Sequence, residues 1–143
     1  RIVNVASKLA RGLDLSDVEF KRRSYSGVSA YSQSKQANRL WTWALARRLR
    51  GSELRANAVH PGGVQTELFA KAGGLASVAA SGWARLFAKT PAEGADSVVW
   101  TAAAPAAVAL HGAFVADRTV QECEFRGHGE EDLWSLCASM KVT

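Results

Sequence analysis

Between Ala30 and Arg50 the chain contains neither glycine nor proline, and Ala37, Leu40, Trp41, Ala44, Leu45, Ala46 and Leu49 recur at three- and four-residue steps. That spacing gathers apolar side chains on one face of a helix, which must then be buried against something. Ser29 stands where an N-cap belongs and Gly51 where the helix should stop. The flanks say what the helix packs on. Ile2, Val3 and Val5 form a β-branched run ahead of it, and Leu54 to Val59 reads as a second strand behind it. His60-Pro61-Gly62-Gly63 closes that strand, because proline cannot continue a ladder and glycine permits a sharp exit.

The remainder continues the alternation. Ser7 to Ser29 is a polar loop, and a turn-rich region with an amphipathic helix over Leu75 to Phe87 extends to Lys89. Thr90-Pro91-Ala92-Glu93 has the form of a capping box with proline in the first turn, so a helix should run to about Ala103. A third strand over Gly112 to Val115 and a C-terminal helix over Glu130 to Met140 complete the pass. The order of strands and helices predicts one α/β domain, a parallel sheet with helices on its faces. In such open sheets ligands bind at the carboxyl ends of the strands. Ser7, the segment His60 to Thr66, and Asp117-Arg118 occupy those ends.

Composition removes several alternatives. Of 143 residues, 48% are apolar and 22% charged, which excludes a disordered tail or a coiled coil. The apolar stretch Thr101 to Val115 is interrupted by Pro105, His111 and Gly112, and no membrane-spanning segment is expected. The net charge of +5 invites a nucleic-acid reading. However, the basic residues fall in two short clusters, Lys21-Arg22-Arg23 and Arg47-Arg48-Arg50, with no interleaved aromatic platforms, so no nucleic-acid partner is expected. Cys123 and Cys137 are too few for a metal site of paired cysteines or a disulfide framework; inert thiols in a reducing, cytoplasmic compartment and no metal are the expectation. Residue 1 is Arg and the only methionine is Met140, which reads as part of something longer.

The chemistry concentrates at Tyr31-Ser32-Gln33-Ser34-Lys35. A four-residue step on a helix stacks the phenol and the ammonium on one face. A phenol of ordinary pKa about 10 is a poor base at neutral pH, and a fixed neighbouring cation favours its phenolate. The pair is then suited to exchange a proton with an alcohol or carbonyl oxygen. Ser7, at the end of the neighbouring strand, is placed to hydrogen-bond that same oxygen.

Taken in order, Arg1-Ile-Val-Asn-Val-Ala-Ser7, Tyr31-Ser-Gln-Ser-Lys35-Gln-Ala-Asn and Asn57-Ala-Val-His-Pro61-Gly62-Gly-Val-Gln-Thr66 resemble the second half of a short-chain dehydrogenase/reductase. Ser24-Tyr25-Ser26, Ala46-Arg-Arg-Leu49, Thr90-Pro91-Ala-Glu-Gly94-Ala95 and His111-Gly112-Ala-Phe114-Val-Ala-Asp117 point to its retinol dehydrogenase-like branch, extending the likeness to about residue 120. The resemblance implies Tyr31 as catalytic acid/base, Lys35 as the group that lowers its pKa and bonds the nicotinamide ribose, and Ser7 as the holder of the substrate oxygen. It implies that Pro61, Gly62, Val64 and Thr66 pack on the nicotinamide and bind its carboxamide. The reaction implied is hydride transfer between NADP or NAD and an alcohol or carbonyl. Residues 67–89 would form the substrate lid; Leu68, Phe69, Leu75, Val78, Trp83, Leu86 and Phe87 there would suit an apolar substrate such as a retinoid or other lipid. The family's long helix pairs across a dimer, and Leu40, Trp41, Trp43 and Leu45 offer apolar surface for a homodimer through the Tyr31 helix.

The sequence departs from the family in one large respect. No glycine-rich phosphate-binding turn follows a strand, and no Asn-Ala-Gly segment or catalytic asparagine precedes Ser7. The fold class expected is therefore a partial Rossmann-type doubly wound sheet of about three strands with flanking helices. Residues 1–143 are read as the C-terminal catalytic half of the domain with the N-terminal dinucleotide-binding half absent. On that reading the chain alone holds NADP or NAD weakly. A non-catalytic remnant serving as an interaction module is the alternative.

Overall fold

The computed structural model describes residues 1–63, 89–123 and 125–140. Within them the elements are β1 (Ile2–Val5), α1 (Gly27–Arg48), β2 (Ala56–His60), α2 (Pro91–Ala103), a 3-10 turn (Pro105–Ala107), β3 (Phe114–Ala116), β4 (Thr119–Val120) and α3 (Glu130–Ser139). The strands lie in the order β1-β2-β3-β4. β1, β2 and β3 run parallel, with Val5 opposite Val59 and Val59 opposite Val115. The expected helix over Leu75 to Phe87 lies outside the described residues.

Two features of the sheet correct the expectation. It has four strands, and it runs from residue 2 to residue 120, nearly the length of the chain, so it is not confined to a C-terminal half. The fourth strand is antiparallel, with Ala116 opposite Thr119 and Val115 opposite Val120. The chain reverses through Asp117 and Arg118, both left-handed at φ 50° and 56°. A two-residue hairpin turn of the preferred hand needs φ > 0 at both positions, and glycine or asparagine usually announces it. Here tertiary contacts hold it instead. Ser97 Oγ accepts the Arg118 amide at 3.1 Å, Arg118 pairs with Asp96, and Asp117 pairs with Lys89.

The helices follow their capping chemistry. α1 begins a turn earlier than its periodicity suggests, because Ser26, in extended backbone, accepts the Ser29 amide. α2 starts at the expected capping box: Thr90 Oγ1 accepts the Glu93 amide at 3.3 Å, and Glu93 accepts the Thr90 amide at 2.7 Å.

Each face of the sheet carries its own core. Leu40 and Trp43 of α1 pack with Ala6, Ala58, Phe114 and Leu133 of α3 on one side. Val59 and Val115, with Val98 and Trp100 of α2, fill the other. Covered on both faces, Ala56, Asn57, Ala58 and Val59 are fully buried, the expected state of a central parallel strand. Of the α1 residues named for a second copy, Leu40 and Trp43 lie in the core, and the Trp41 ring stacks on Trp134 of α3 at 5.8 Å. Arg47 and Arg48 reach Glu131 at 2.9 and 2.6 Å, so part of the second basic cluster is spent on docking α3. Of the two thiols, both free, Cys123 is half-buried and Cys137 is exposed. Among the described residues no helix is long and apolar enough to cross a membrane.

Candidate active site

β1 and β2 deliver their last residues to one place. The ladder runs one residue past β1, with the Ala6 amide donating to Val59 at 2.7 Å, and the chain then turns sharply at Ser7. The Ser7 Oγ accepts the Leu9 amide at 3.1 Å, and the Ser7 carbonyl accepts the Ala10 amide at 3.3 Å. A serine hydroxyl that accepts one bond keeps its own hydrogen to donate elsewhere. Ser7 is buried, at 4% exposure.

α1 crosses this point with its first turns. Lys35 Nζ lies 5.7 Å from the centroid of the Tyr31 ring and donates to the Val5 carbonyl at 3.1 Å. Asn38 Nδ2 donates to the same carbonyl at 3.4 Å. Ser7, Tyr31, Lys35, Pro61 and Gly62 line a single open cleft of about 820 Å³, with Val98 of α2 on its wall. The structure therefore brings together the five described site residues expected from sequence. Val64, Thr66 and the expected lid residues Leu68 to Phe87 lie outside the described residues.

Gly62 is left-handed at φ 90°, and a Cβ added there would stand 2.9 Å from Cδ of Lys89. The Lys89 amide in turn donates to the Gly63 carbonyl at 2.7 Å. The left-handed backbone is what favours glycine at this bend, since the end of the Lys89 side chain could move aside.

Three residues beside the cleft were not singled out by the sequence reading. Asn38 and Arg39 sit three and four residues beyond Lys35, on the same helical face; Asn38 hydrogen-bonds the last residue of β1 and Arg39 the carbonyl of Ser7 beyond it. His60 lines the cleft and its Nδ1 is buried without a hydrogen-bond partner among the described residues. Burial, reinforced by the cations Lys8 and Arg39, pushes its pKa down to about 4, so the ring is neutral at physiological pH.

A family profile described as short chain dehydrogenase matches residues 1–74 of this sequence, more than half of it. The chain belongs to the short chain dehydrogenase family. The match corrects the placement expected above: it falls in the N-terminal portion of this chain, around Ser7, Tyr31, Lys35, Pro61 and Gly62, and the assignment to a C-terminal half of the family domain is set aside. The chain is 37% identical over 132 residues to Retinol dehydrogenase 14 of Homo sapiens, covering 85% of this chain and 37% of that protein. It is 37% identical over 128 residues to Polyprenol dehydrogenase of Mus musculus, with the same two coverages of 85% and 37%. Retinol dehydrogenase 11 of Mus musculus is 32% identical over 149 residues, 98% of this chain and 45% of the relative. The chain thus spans less than half the length of these curated relatives. A crystal structure of an uncharacterised protein from Mycobacterium paratuberculosis superposes with a TM-score of 0.58 at 30% identity, covering 96% of this chain and 46% of that one.

Proposed function

We propose that Ser7, Tyr31 and Lys35 are the proton-transfer site of an NAD(P)-dependent oxidoreductase that interconverts an alcohol and a carbonyl. The observation that carries this reading is their convergence with Pro61 and Gly62 on one cleft at the carboxyl ends of β1 and β2. Tyr31 exchanges the proton with the substrate oxygen, and Ser7 donates its remaining hydroxyl hydrogen to that oxygen. Lys35 spends one of its three donors on Val5 and keeps the others for hydroxyl groups beside the phenol.

The residues present fit the reactive end of a nicotinamide cofactor: a lysine with donors to spare, and a left-handed glycine bend on the same cleft. Lys35 and Tyr31, with Pro61, Gly62, Val64 and Thr66 by family pattern, would hold it. Such a cofactor supplies the hydride donor or acceptor; the chain's residues handle the proton and the oxygen. An apolar alcohol or aldehyde is the substrate class favoured by Val5, Leu9 and Val98 on the cleft wall, in keeping with relatives named for retinol and polyprenol. The test is oxidation of NADPH and NADH by the purified protein with retinal and long-chain aldehydes. Turnover that Tyr31→Phe abolishes supports the reading; no turnover, or turnover retained in Tyr31→Phe, rejects it.

A further inference from the structure

The guanidinium of Arg39 is buried among groups that make it expensive to keep. Arg39 is only 4% exposed, and its charge lies 3.5 Å from the centroid of the Phe114 ring and 5.4 Å from that of Phe125. No carboxylate pairs with it among the described residues, its Nε is buried without a hydrogen-bond partner, and burial pushes its pKa down. Among the described residues it makes two polar contacts: Nη1 donates to Cys123 Sγ at 3.2 Å, and Nη2 donates to the carbonyl of Ser7. A buried cation costs stability unless its hydrogen bonds and ring contacts offset the loss of water.

What it holds is the backbone of the turn that aims the Ser7 hydroxyl. The Ser7 carbonyl that Arg39 grips also accepts the Ala10 amide, and the same turn sets Leu9 N–H against Ser7 Oγ. Tyr31, Lys35 and Arg39 are spaced four residues apart, so one stripe of α1 carries the phenol, the ammonium and the guanidinium in sequence. Lys35 fixes the last residue of β1, and Arg39 fixes the serine two residues beyond it.

We propose that Arg39 is a positioning residue for Ser7, locking the serine turn to the helix that bears Tyr31 so that hydroxyl and phenol address the same substrate oxygen. The proposal rests on the reading of Ser7, Tyr31 and Lys35 as the proton-transfer site. A small displacement of a positioned group is enough to slow a reaction without unfolding the protein.

The test compares Arg39→Met, Arg39→Lys and Cys123→Ala in the intact protein. Arg39→Met lowers kcat per folded molecule by about ten- to a hundredfold, with the KM for cofactor within about twofold of wild type. Arg39→Lys, which keeps a donor for the Ser7 carbonyl, recovers most of that loss, and Cys123→Ala changes neither constant. Hydrogen–deuterium exchange gives a reading that needs no substrate: the Leu9 and Ala10 amides exchange about tenfold faster in Arg39→Met and close to wild type in Arg39→Lys. Wild-type kcat and exchange in folded Arg39→Met overturn the proposal, as does an Arg39→Lys protein as impaired as Arg39→Met. Should Arg39→Met not fold, accelerated exchange at Leu9 and Ala10 in folded Arg39→Lys overturns it. A wild-type protein without turnover counts against the proton-transfer reading, while the exchange data still decide whether Arg39 holds the serine turn.

Discussion

Lys35 Nζ donates to the carbonyl of Val5 at 3.1 Å, tying the cation beside the Tyr31 ring to the final residue of β1. Under the proposed function this bond holds the ammonium in place. Lys35→Met should therefore lower kcat by roughly 10²–10⁴-fold, the usual worth of an acid–base arrangement. Circular dichroism of the variant should be unchanged, because Asn38 still donates to Val5. Steady-state kinetics with either nicotinamide cofactor checks it.

His60 makes stability depend on acid. Its folded pKa is lowered from 6.5 to about 4, so between those values the unfolded chain binds a proton that the folded chain refuses. By linkage, the stability this neutral ring contributes is complete above pH 6.5 and is lost as pH falls towards 4, on the order of 2 kcal/mol in all. Urea denaturation at pH 7 and pH 4.5 should show that loss in the wild type and a smaller one in His60→Gln. Parallel curves for the two proteins would remove His60 as the cause.

Asn57 is fully buried in β2, donating Nδ2 to the Leu110 carbonyl and accepting the Ala113 amide, each at 2.9 Å. These bonds clamp the approach to β3. Asn57→Leu leaves a buried carbonyl and a buried amide without partners, at a cost of about 3 kcal/mol. A shift in the urea midpoint at unchanged m-value is the expected signature.

Two kinds of contact dock α3, and they should differ sharply in worth. Leu133 is 5% exposed in the core beside Leu40 and Trp43, so Leu133→Ala should cost about 2–5 kcal/mol. Glu131 bonds Arg47 and Arg48 at the surface, where solvent screens the pair, and its carboxyl is held low, at about 2, by those two guanidinium groups. Glu131→Gln should shift the thermal midpoint far less than Leu133→Ala. Equal shifts would mean that the ion pairs, rather than the buried leucine, dock α3.

The parts of this fold that were legible in sequence are those written in local chemistry. The Thr90-Pro91-Ala92-Glu93 cap, the glycine-free run of α1 and the buried run of β2 each declare themselves within a few residues. Tyr31 and Lys35 were readable because a four-residue step fixes their mutual placement, and Ser7 because it ends a strand. β4 was not readable: its turn lacks glycine, and Asp117 and Arg118 are held left-handed by Lys89, Asp96 and Ser97, residues far away in sequence. Arg39 was hidden for a related reason. An arginine on a helix reads as solvated surface, and only the approach of Ser7, Phe114 and Cys123 shows that it is inside. Leu40 and Trp43 show how little apolarity alone says: it marks a face as covered, and here the cover includes Phe114 and Leu133 of the same chain.

α1 spans 22 residues without a break, about 33 Å at 1.5 Å per residue. The groups that address the cleft ride on its first turns, while its last turns are gripped by α3. A continuous helix held at both ends couples them, so a tilt of a few degrees at the α3 end carries along it as a sideways displacement of the phenol and the ammonium. Under the proposed function, geometry at the substrate oxygen is thereby made answerable to packing at the far end of α1.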